Sequence, residues 1–398
     1  MPGRSDALPR GFVLSGAIVA SDGIERARDV VVHDGLCTDV VPPGSADPAI
    51  PTIDLHGLRL IPGMIDLHVH GATGHEFVEL TPGVIDGILA ELGRHGVTSA
   101  LATISSEPIE IIVDTLRTFA DPAGWASSDG ARVLGVHLEG PYLAQEQRGA
   151  HRAAVVRAPT ATEVGAILAE TAALRMVTIA PELPRAIELV AALAARGVLV
   201  SIGHSAAAPA IVAAAQAAGA RHFTHLWSGM SNLHRIGPWR RPGLIETALA
   251  STGMTAEVIA DGKHLPAELL EIARACFGPG LCIVSDAIMG AGLPEGAEFG
   301  PPELRCRVEH GVAVVIGADS FAGSTTLLDG ALRHVVTDLG WGLADSVRMV
   351  TEVPAQIIGE GDRLGRVAPG YTADFTILDD DLTVRATIRD GRWLHDAR

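Results

Sequence analysis

The sequence predicts an α/β fold: a (β/α)8 TIM-like barrel with a small β-sandwich domain built from both termini. Two observations support this prediction. Eight short apolar runs alternate with alanine-rich helical stretches in the middle of the chain, and both flanking regions contain short strands joined by turns. We expect residues 1–60 and 360–398 to form the small domain and residues 61–359 to form the barrel.

The terminal domain is predicted to begin with an apolar strand, Phe12–Val19, that leads into a turn at Asp22-Gly23. This run follows arginines and is similar to a secretion signal, but it is short and no small-residue cleavage site follows it. Asp34-Gly35 and Asp390-Gly391 are typical hairpin turns. Further strands are predicted at residues 29–33, 37–41, 52–54, 374–378, 384–388 and 392–394.

The barrel strands are expected at residues 58–70, 97–104, 133–139, 176–180, 198–204, 222–225, 256–261 and 281–286, with helices between many of them. A hairpin (303–308 and 312–316) and helices between residues 325 and 358 should follow. The competing architecture is an open doubly wound sheet. It would need a glycine-rich dinucleotide turn after its first strand, and Gly71-Ala-Thr-Gly74 does not have that pattern.

Composition excludes several classes of protein. The 398 residues carry a net charge of −17, so no broad basic surface is available for nucleic acid. The four cysteines show no paired spacing, which favours a reducing cytoplasm over a disulfide framework or a zinc knuckle. No segment approaches the roughly 20 apolar residues of a membrane helix. We therefore expect a cytoplasmic protein that binds neither nucleic acid nor membranes.

Histidines and carboxylates follow the predicted strands where barrel enzymes carry their chemistry, at the carboxyl ends. His68 and His70 lie two residues apart on one strand, so both rings project from the same side. Glu139, His204, His225 and Asp286 end four further strands. Each has a plain structural alternative, such as a helix cap for Asp286, but their coincidence at five strand ends indicates one site.

The ligand types at these strand ends predict a metal-dependent hydrolase. Imidazole and carboxylate groups suit Zn²⁺, Fe²⁺, Co²⁺ or Mn²⁺ and do not suggest an iron–sulfur or copper–thiolate site. A catalytic metal lowers the pKa of its water toward ~7, and a neighbouring aspartate can act as general base and then as general acid. This combination favours hydrolysis of a C–N bond over redox chemistry.

The strand-end set resembles the amidohydrolase superfamily, and longer motifs resemble its N-acetylglucosamine-6-phosphate deacetylase family. The similarity spans nearly the whole chain in the same order, and it implies removal of the N-acetyl group of N-acetylglucosamine 6-phosphate by a homodimer. The motifs are His137-Leu-Glu-Gly-Pro141, Gly149-Ala-His151, Gly203-His204-Ser205, Thr224-His225-Leu226, Asp261-Gly-Lys-His264, Ser285-Asp286-Ala287, Ala291-Gly-Leu-Pro294-Glu-Gly296, Ala322-Gly-Ser324 and Gly365–Asp374.

The resemblance also implies the metal ligands. Glu139, His204 and His225 would bind one divalent ion, Zn²⁺ or Fe²⁺ first, with Co²⁺ or Mn²⁺ as alternatives. His68 and His70 could hold a second ion, with Glu139 bridging and Asp286 nearby as a further metal-site residue. Many cyclic-amide hydrolases bridge two metals with a carboxylated lysine on the fourth strand. The single lysine, Lys263, follows the seventh strand, so Glu139 is expected as the acidic ligand.

The substrate contacts are implied in the same way. Asp286 would activate the water and protonate the amine, and His151 would hydrogen-bond the acetyl carbonyl. His264 would contact the sugar or its phosphate. The phosphate would be held by backbone N–H groups and by an arginine, which in the family can come from the neighbouring subunit. The further substrate-binding residues are Ala150, Ser228, Gly229, Arg240, Phe321 and Ala322.

The chain departs from the family pattern in the segment that would contact phosphate. Trp227-Ser-Gly-Met230 replaces the usual Asn-Ala, and either Arg235 or Arg240 could be the phosphate arginine unless this segment is a solvated basic loop. Three functions therefore stay open. They are deacetylation of N-acetylglucosamine 6-phosphate, deacylation of another N-acetyl amino sugar (such as N-acetylgalactosamine 6-phosphate) or N-acyl amino acid, and binding by a non-catalytic barrel.

Overall fold

A computed structural model describes residues 8–121, 129–301, 303–318 and 320–398. Two large sheets organise these residues, one built from both termini and one closed into a barrel. Three smaller sheets project from them. The predicted barrel and the predicted small domain from both termini are confirmed. The domain boundaries stay a prediction.

The terminal sheet contains eight strands. Two of its hairpins turn at Asp34-Gly35 and Asp390-Gly391, where φ lies between 48° and 79°, a backbone region that favours glycine and aspartate. Its core is separate from that of the barrel and includes Phe12, Leu14 and Phe375. In sheet order the strands are Arg392–Asp396, Val384–Arg389, Phe375–Leu378, Arg59–Pro62, Gly11–Ser21, Ile24–His33 and Leu36–Val41, with Thr52–Asp54 paired to Gly11–Ser21.

The barrel consists of eight parallel strands in sequential order. Alternate side chains point inward, and residues such as Leu67, Leu101 and Met176 fill the interior. The strands are β1 (Met64–Val69), β2 (Val97–Ile104), β3 (Arg132–Glu139), β4 (Leu174–Ile179), β5 (Leu199–Ile202), β6 (His222–Phe223), β7 (Thr255–Ile259) and β8 (Leu281–Val284).

A helix follows each barrel strand, which gives the eight β/α units that the sequence predicts. The apolar faces of these helices pack on the outside of the strands. The helices are α1 (Pro82–Arg94), α2 (Ile109–Ala120), α3 (Ala161–Ala169), α4 (Ala186–Ala194), α5 (Pro209–Ala218), α6 (Leu244–Leu249), α7 (Ala267–Phe277) and α8 (Leu328–Thr337), followed by α9 (Leu343–Met349) and α10 (Glu352–Ile357).

The barrel closes where the segment after β8 meets β1. The backbone N–H of His70 donates to the Ala287 carbonyl, and the N–H of Asp286 donates to the His68 carbonyl, both at 2.8 Å. Val69 and Ala287 form a parallel bridge between these bonds. Closure therefore places residues that are more than 200 positions apart in sequence side by side at the barrel rim.

A four-stranded antiparallel sheet lies between β8 and α8. The predicted hairpin is confirmed, with Cys306–Glu309 paired to Val312–Val315, and Glu298–Phe299 and Phe321–Ser324 extend it on either side. A second, two-stranded hairpin pairs His234–Ile236 with Trp239–Arg241. The remaining short pair is Gly71–Ala72 with His75–Glu76. No helix among the described residues is long and apolar enough to cross a membrane.

The prediction of a single strand over residues 58–70 is wrong. Arg59–Pro62 belongs to the terminal sheet, and the chain crosses into the barrel at Gly63 before β1 begins. A Cβ atom at Gly63 would overlap the side chain of Thr98 on β2. The sequence gives no sign of this boundary between two strands, because both strands are buried and form one unbroken apolar run.

We predict that Gly63→Ala lowers the free energy of unfolding by about 1–3 kcal/mol, as overpacking of a buried site does. Chemical denaturation of the variant measures the change. Gly87→Ala on α1 is the matched control, because nothing lies within 4 Å of its new Cβ and alanine favours a helix. Equal stability of Gly63→Ala and the native chain would contradict the close contact between Gly63 and the side chain of Thr98.

Candidate metal centre and active-site cavity

The ends of β1 and β3 bring His68, His70 and Glu139 together. All three side chains are buried. Nε2 of His68 lies 3.2 Å from Nε2 of His70. The carboxylate of Glu139 places Oε1 3.5 Å from Nε2 of His68 and Oε2 3.3 Å from Nε2 of His70. These three residues could hold a metal ion.

A second group shares the carboxylate of Glu139. Its Oε1 lies 3.0 Å from Nε2 of His204, which follows β5, and 2.9 Å from Nε2 of His225, which follows β6. The two Nε2 atoms are 3.2 Å apart. This group could also hold a metal ion. Glu139 thus lies between the two groups, where a bridging ligand would be.

The outer ring nitrogens show that these histidines fit a metal. Nδ1 of His68 lies 2.7 Å from the Glu257 carboxylate, and Nδ1 of His204 lies 2.7 Å from the Gln147 carbonyl. Because both partners accept hydrogen bonds, each Nδ1 carries a proton, which leaves Nε2 as the nitrogen that can bind a metal ion. Converging nitrogen lone pairs repel one another unless a cation lies between them, so the residues fit a divalent ion with N and O ligands.

Opposite charges concentrate in this buried space. Burial opposes charge on Glu139, but His68, His151 and His204 outweigh it and hold the pKa of the carboxyl well below its usual range. Burial likewise opposes charge on His68, but Glu139, Glu257 and Asp286 raise the pKa of its ring well above the usual value. The carboxylates therefore stay ionised and can neutralise much of the charge of a bound cation.

Barrel closure places Asp286 against the first group. Its Oδ1 lies 3.4 Å from Nε2 of both His68 and His70. Burial would raise the pKa of Asp286, but the two histidines lower it, so the side chain is an ionised proton acceptor. Asp286 and His204 both adopt φ of 48°, which is uncommon outside glycine and is often found at functional sites.

His151 lies on the opposite side of Glu139 and is oriented as a hydrogen-bond donor. The backbone N–H of Ser106 donates to Nδ1 of His151 at 3.2 Å, so the ring proton is on Nε2. Nε2 lies 3.2 Å from Oε2 of Glu139. Burial lowers the pKa of His151, which favours the neutral ring. A neutral imidazole with an N–H at the site can stabilise developing negative charge on an oxygen atom.

His264 is held by Asp261 at the end of β7. Nδ1 of His264 lies 2.8 Å from Oδ2 of Asp261, and the Ser324 hydroxyl donates to the same oxygen at 3.0 Å. Burial would raise the pKa of Asp261, but its hydrogen bonds with His264 lower it to about 2. Asp261 in turn raises the pKa of His264 against the effect of burial. These bonds fix the orientation of the ring, which packs 5.0 Å from that of Phe321.

A cavity of about 620 Å³ opens over these groups, a size that suits a small-molecule ligand. One wall comes from the four-stranded sheet after β8, through residues such as Phe299 and Cys306. Of the ligands and the base named from sequence, His68 lies beneath the cavity surface, and His70, Glu139, His204, His225 and Asp286 line it. The substrate-binding candidates that line it are Ala150, His151, Ser228, Gly229, His264, Phe321 and Ala322.

Arg240 is the one predicted substrate-binding residue that does not line the cavity of its own chain. It lies in the exposed hairpin opposite Arg235 and outside the cavity wall. In the same hairpin Ile236 and Trp239 are 60% and 69% exposed. The segment is therefore neither part of this cavity nor an irregular loop.

Sequence reasoning missed three charged residues of the cavity wall, Glu76, Glu107 and Arg152. The guanidinium of Arg152 forms an ion pair with the carboxylate of Glu107. Glu107 follows the end of β2, so the strand-end rule that found the other residues could have found it too. Arg152 directly follows His151, but nothing in its local sequence marks it as a cavity residue.

Comparisons with known proteins agree with this geometry. Residues 59–394 match the model of the amidohydrolase family. The N-acetylglucosamine-6-phosphate deacetylase of Bos taurus is 35% identical over 350 residues, which are 85% of this chain and 84% of the relative. The N-acetylgalactosamine-6-phosphate deacetylase of Escherichia coli O157:H7 is 33% identical over 330 residues, with 82% and 85% coverage.

A solved structure shares the fold over its full length. It is a mutant of the N-acetyl-D-glucosamine-6-phosphate deacetylase of Mycobacterium smegmatis, in complex with N-acetyl-D-glucosamine-6-phosphate. It superposes with a TM-score of 0.87 at 30% identity and covers 97% of this chain and 100% of the solved one. The similarity therefore extends over both the barrel and the terminal sheet.

We predict that Glu139→Gln abolishes binding of every divalent ion that the centre holds, because Glu139 belongs to both ligand groups. His70→Ala should leave the group of Glu139, His204 and His225 occupied. Metal content per chain, measured after dialysis against buffered zinc, tests both. Glu107→Gln, in the same cavity but outside both groups, should keep the native content, and full occupancy in Glu139→Gln would contradict the assignment.

Proposed function

This chain belongs to the amidohydrolase family, and we propose that it hydrolyses N-acetylglucosamine 6-phosphate to glucosamine 6-phosphate and acetate. One observation carries the proposal. An ionised carboxylate, Asp286, and a neutral N–H donor, His151, flank the same two ligand groups. Amide hydrolysis needs both, since one group must move a proton and another must stabilise the carbonyl oxygen. Relatives over most of the chain are named as deacetylases of this sugar phosphate.

The proton transfers are assigned to Asp286. A divalent ion held by the histidines and Glu139 would polarise the amide carbonyl and make water a stronger nucleophile. Asp286 accepts one proton from the attacking water and then delivers it to the amide nitrogen as the C–N bond breaks. The products are acetate and the free amine. The position of Asp286, 3.4 Å from two ligand nitrogens, supports this role.

His151 and His264 are assigned to different parts of the substrate. The Nε2–H of His151 would donate to the acetyl carbonyl oxygen as negative charge develops there. His264, with its raised pKa, would contact a sugar hydroxyl or the phosphate. Gly229 would offer its backbone N–H group to the phosphate, and Ser228, whose own N–H donates to the His225 carbonyl at 3.1 Å, would offer its hydroxyl. A side chain at Gly229 would overlap the ring of His204, so the backbone can lie close to the site.

The remaining substrate contacts come from the walls of the cavity. Ala150, Phe321 and Ala322 would pack against the sugar ring. The exposed hairpin supports a homodimer in which Arg240 reaches the phosphate of the neighbouring subunit. Within one chain, Arg152 is the arginine of the described cavity wall and is the alternative anion contact. We propose Zn²⁺ or Fe²⁺ as the metal, because the ligands are imidazole and carboxylate.

A second candidate substrate is N-acetylgalactosamine 6-phosphate, which the relative from Escherichia coli O157:H7 is named for. The two sugars differ in the orientation of one ring hydroxyl. They would share the acetamide and phosphate contacts proposed above. A cavity wall that accepts either hydroxyl would allow both.

The decisive experiment measures acetate release from a panel of substrates in the presence of Zn²⁺, Fe²⁺ or Co²⁺. We expect the highest kcat/KM with N-acetylglucosamine 6-phosphate and much lower values with its unphosphorylated form and with N-acetyl amino acids. Arg240→Ala should lower kcat/KM for the phosphorylated sugar by roughly 10- to 100-fold, as loss of a charged hydrogen bond does. Absence of acetate release from every phosphorylated sugar would exclude the proposed function, and equal losses for both sugar forms would exclude the role of Arg240.

We predict that Asp286→Asn lowers kcat by about 10²- to 10⁴-fold while the protein keeps its metal, because general acid–base catalysis contributes that much. Steady-state kinetics and metal content of the same preparation measure the two effects. A helix-capping role would instead reduce the melting temperature and leave turnover intact. That result would remove Asp286 from the mechanism.

A further inference from the structure

A buried carboxylate on β7 takes part in neither ligand group but contacts a residue of each. Glu257 is fully buried in the barrel interior. Its Oε1 lies 2.7 Å from Nδ1 of His68, and the backbone N–H of His225 donates to the same oxygen at 3.2 Å. Glu257 therefore connects the two groups from below the cavity.

The carboxylate is fixed from its other side as well. Oε2 of Glu257 lies 3.2 Å from Nε2 of His222 on β6. Nδ1 of His222 in turn lies 2.6 Å from the hydroxyl of Thr255, two residues before Glu257 on β7. Both carboxylate oxygens thus have partners, and the side chain has little freedom to rotate away from His68.

His68 differs from two other ligand histidines in the charge of its outer partner. Nδ1 of His70 contacts the hydroxyl of Ser105 at 3.0 Å, and Nδ1 of His204 contacts the carbonyl of Gln147 at 2.7 Å. Those partners are neutral, whereas Glu257 is a carboxylate. A carboxylate bonded to the outer nitrogen orients an imidazole and makes its inner nitrogen a stronger metal ligand.

We infer that Glu257 is a positioning residue that sets the metal affinity of the group formed by His68, His70 and Glu139. Its carboxylate fixes the His68 proton on Nδ1, so that Nε2 faces the ion with a free electron pair. Binding of a second metal ion by this chain then depends on β7, a strand that supplies no ligand to either of the two groups around Glu139. The inference rests on the metal dependence of the proposed function and is independent of the substrate.

The test titrates zinc into metal-free protein and measures the affinity and number of bound ions for Glu257→Gln. This variant keeps the size of the side chain and removes its charge. We expect one of the two ions to bind about 10- to 100-fold more weakly, the usual effect of losing such an outer partner. The ion of Glu139, His204 and His225 should be retained, which also reports that the barrel is folded.

Cys282→Ser is the control for direct ligation, because buried Cys282, His222 and Glu257 could themselves hold a metal ion, and weaker zinc binding in this variant would assign Glu257 to that third group instead. It should bind both ions with native affinity. In a His68→Asn background, Glu257→Gln should have no further effect on zinc binding if Glu257 acts through His68. If Glu257→Gln does not fold, His222→Gln, which frees Oε2, should weaken the same ion to a smaller extent.

Two further results would overturn the inference. One is native affinity for both ions in Glu257→Gln. The other is an equal loss of both ions, which would mean that Glu257 supports the barrel as a whole. Absence of acetate release by the native protein would contradict the proposed function alone, because zinc binding is measured without any substrate.

Discussion

The carboxylate of Glu139 is the feature on which the rest of the rim depends. Five imidazoles lie within 3.5 Å of its two oxygens, from His68, His70, His151, His204 and His225. A buried carboxylate needs this compensation, because an isolated charge in the barrel would be strongly unfavourable. The histidines depend on Glu139 in the same way. Their ring nitrogens converge and repel one another unless a carboxylate or a cation lies between them. The centre is therefore arranged around one shared anion.

Barrel closure places a second carboxylate, Asp286, beside the ligand groups that share Glu139. The hydrogen bonds that join β1 to the segment after β8 pass through the backbones of His68, His70 and Asp286 themselves. The same contacts that close the sheet therefore fix the distance between the Asp286 carboxylate, the proposed proton-transfer group, and the histidine pair of the first group. The hydrogen bonds that close the barrel are thus the same ones that position His68, His70 and Asp286. A change in the relative positions of these residues would break the hydrogen bonds that close the barrel.

The parts added to the barrel have separate roles. The four-stranded sheet after β8 covers one side of the cavity and supplies apolar wall residues such as Phe299 and Phe321. The terminal sheet has its own core, although residues such as Ile61 and Leu378 pack in the barrel core, and the chain crosses from one sheet to the other at Gly63. The exposed hairpin of Arg235 and Arg240 does not line the cavity. The candidate metal centre thus depends on the barrel strands, whereas the four-stranded insertion shapes the cavity beside it.

The sequence by itself determined the eight β/α units and the ligand candidates, because strand periodicity and the strand-end rule act locally. Five strand ends were enough to find Glu139 and Asp286. Only the tertiary structure decided what no local pattern encodes. It divided the apolar run at Gly63, placed Arg240 outside the cavity and brought Glu257 against His68. These outcomes depend on contacts between segments that are distant in sequence. The division at Gly63 is not visible in the sequence because buried strands of either sheet have the same apolar composition.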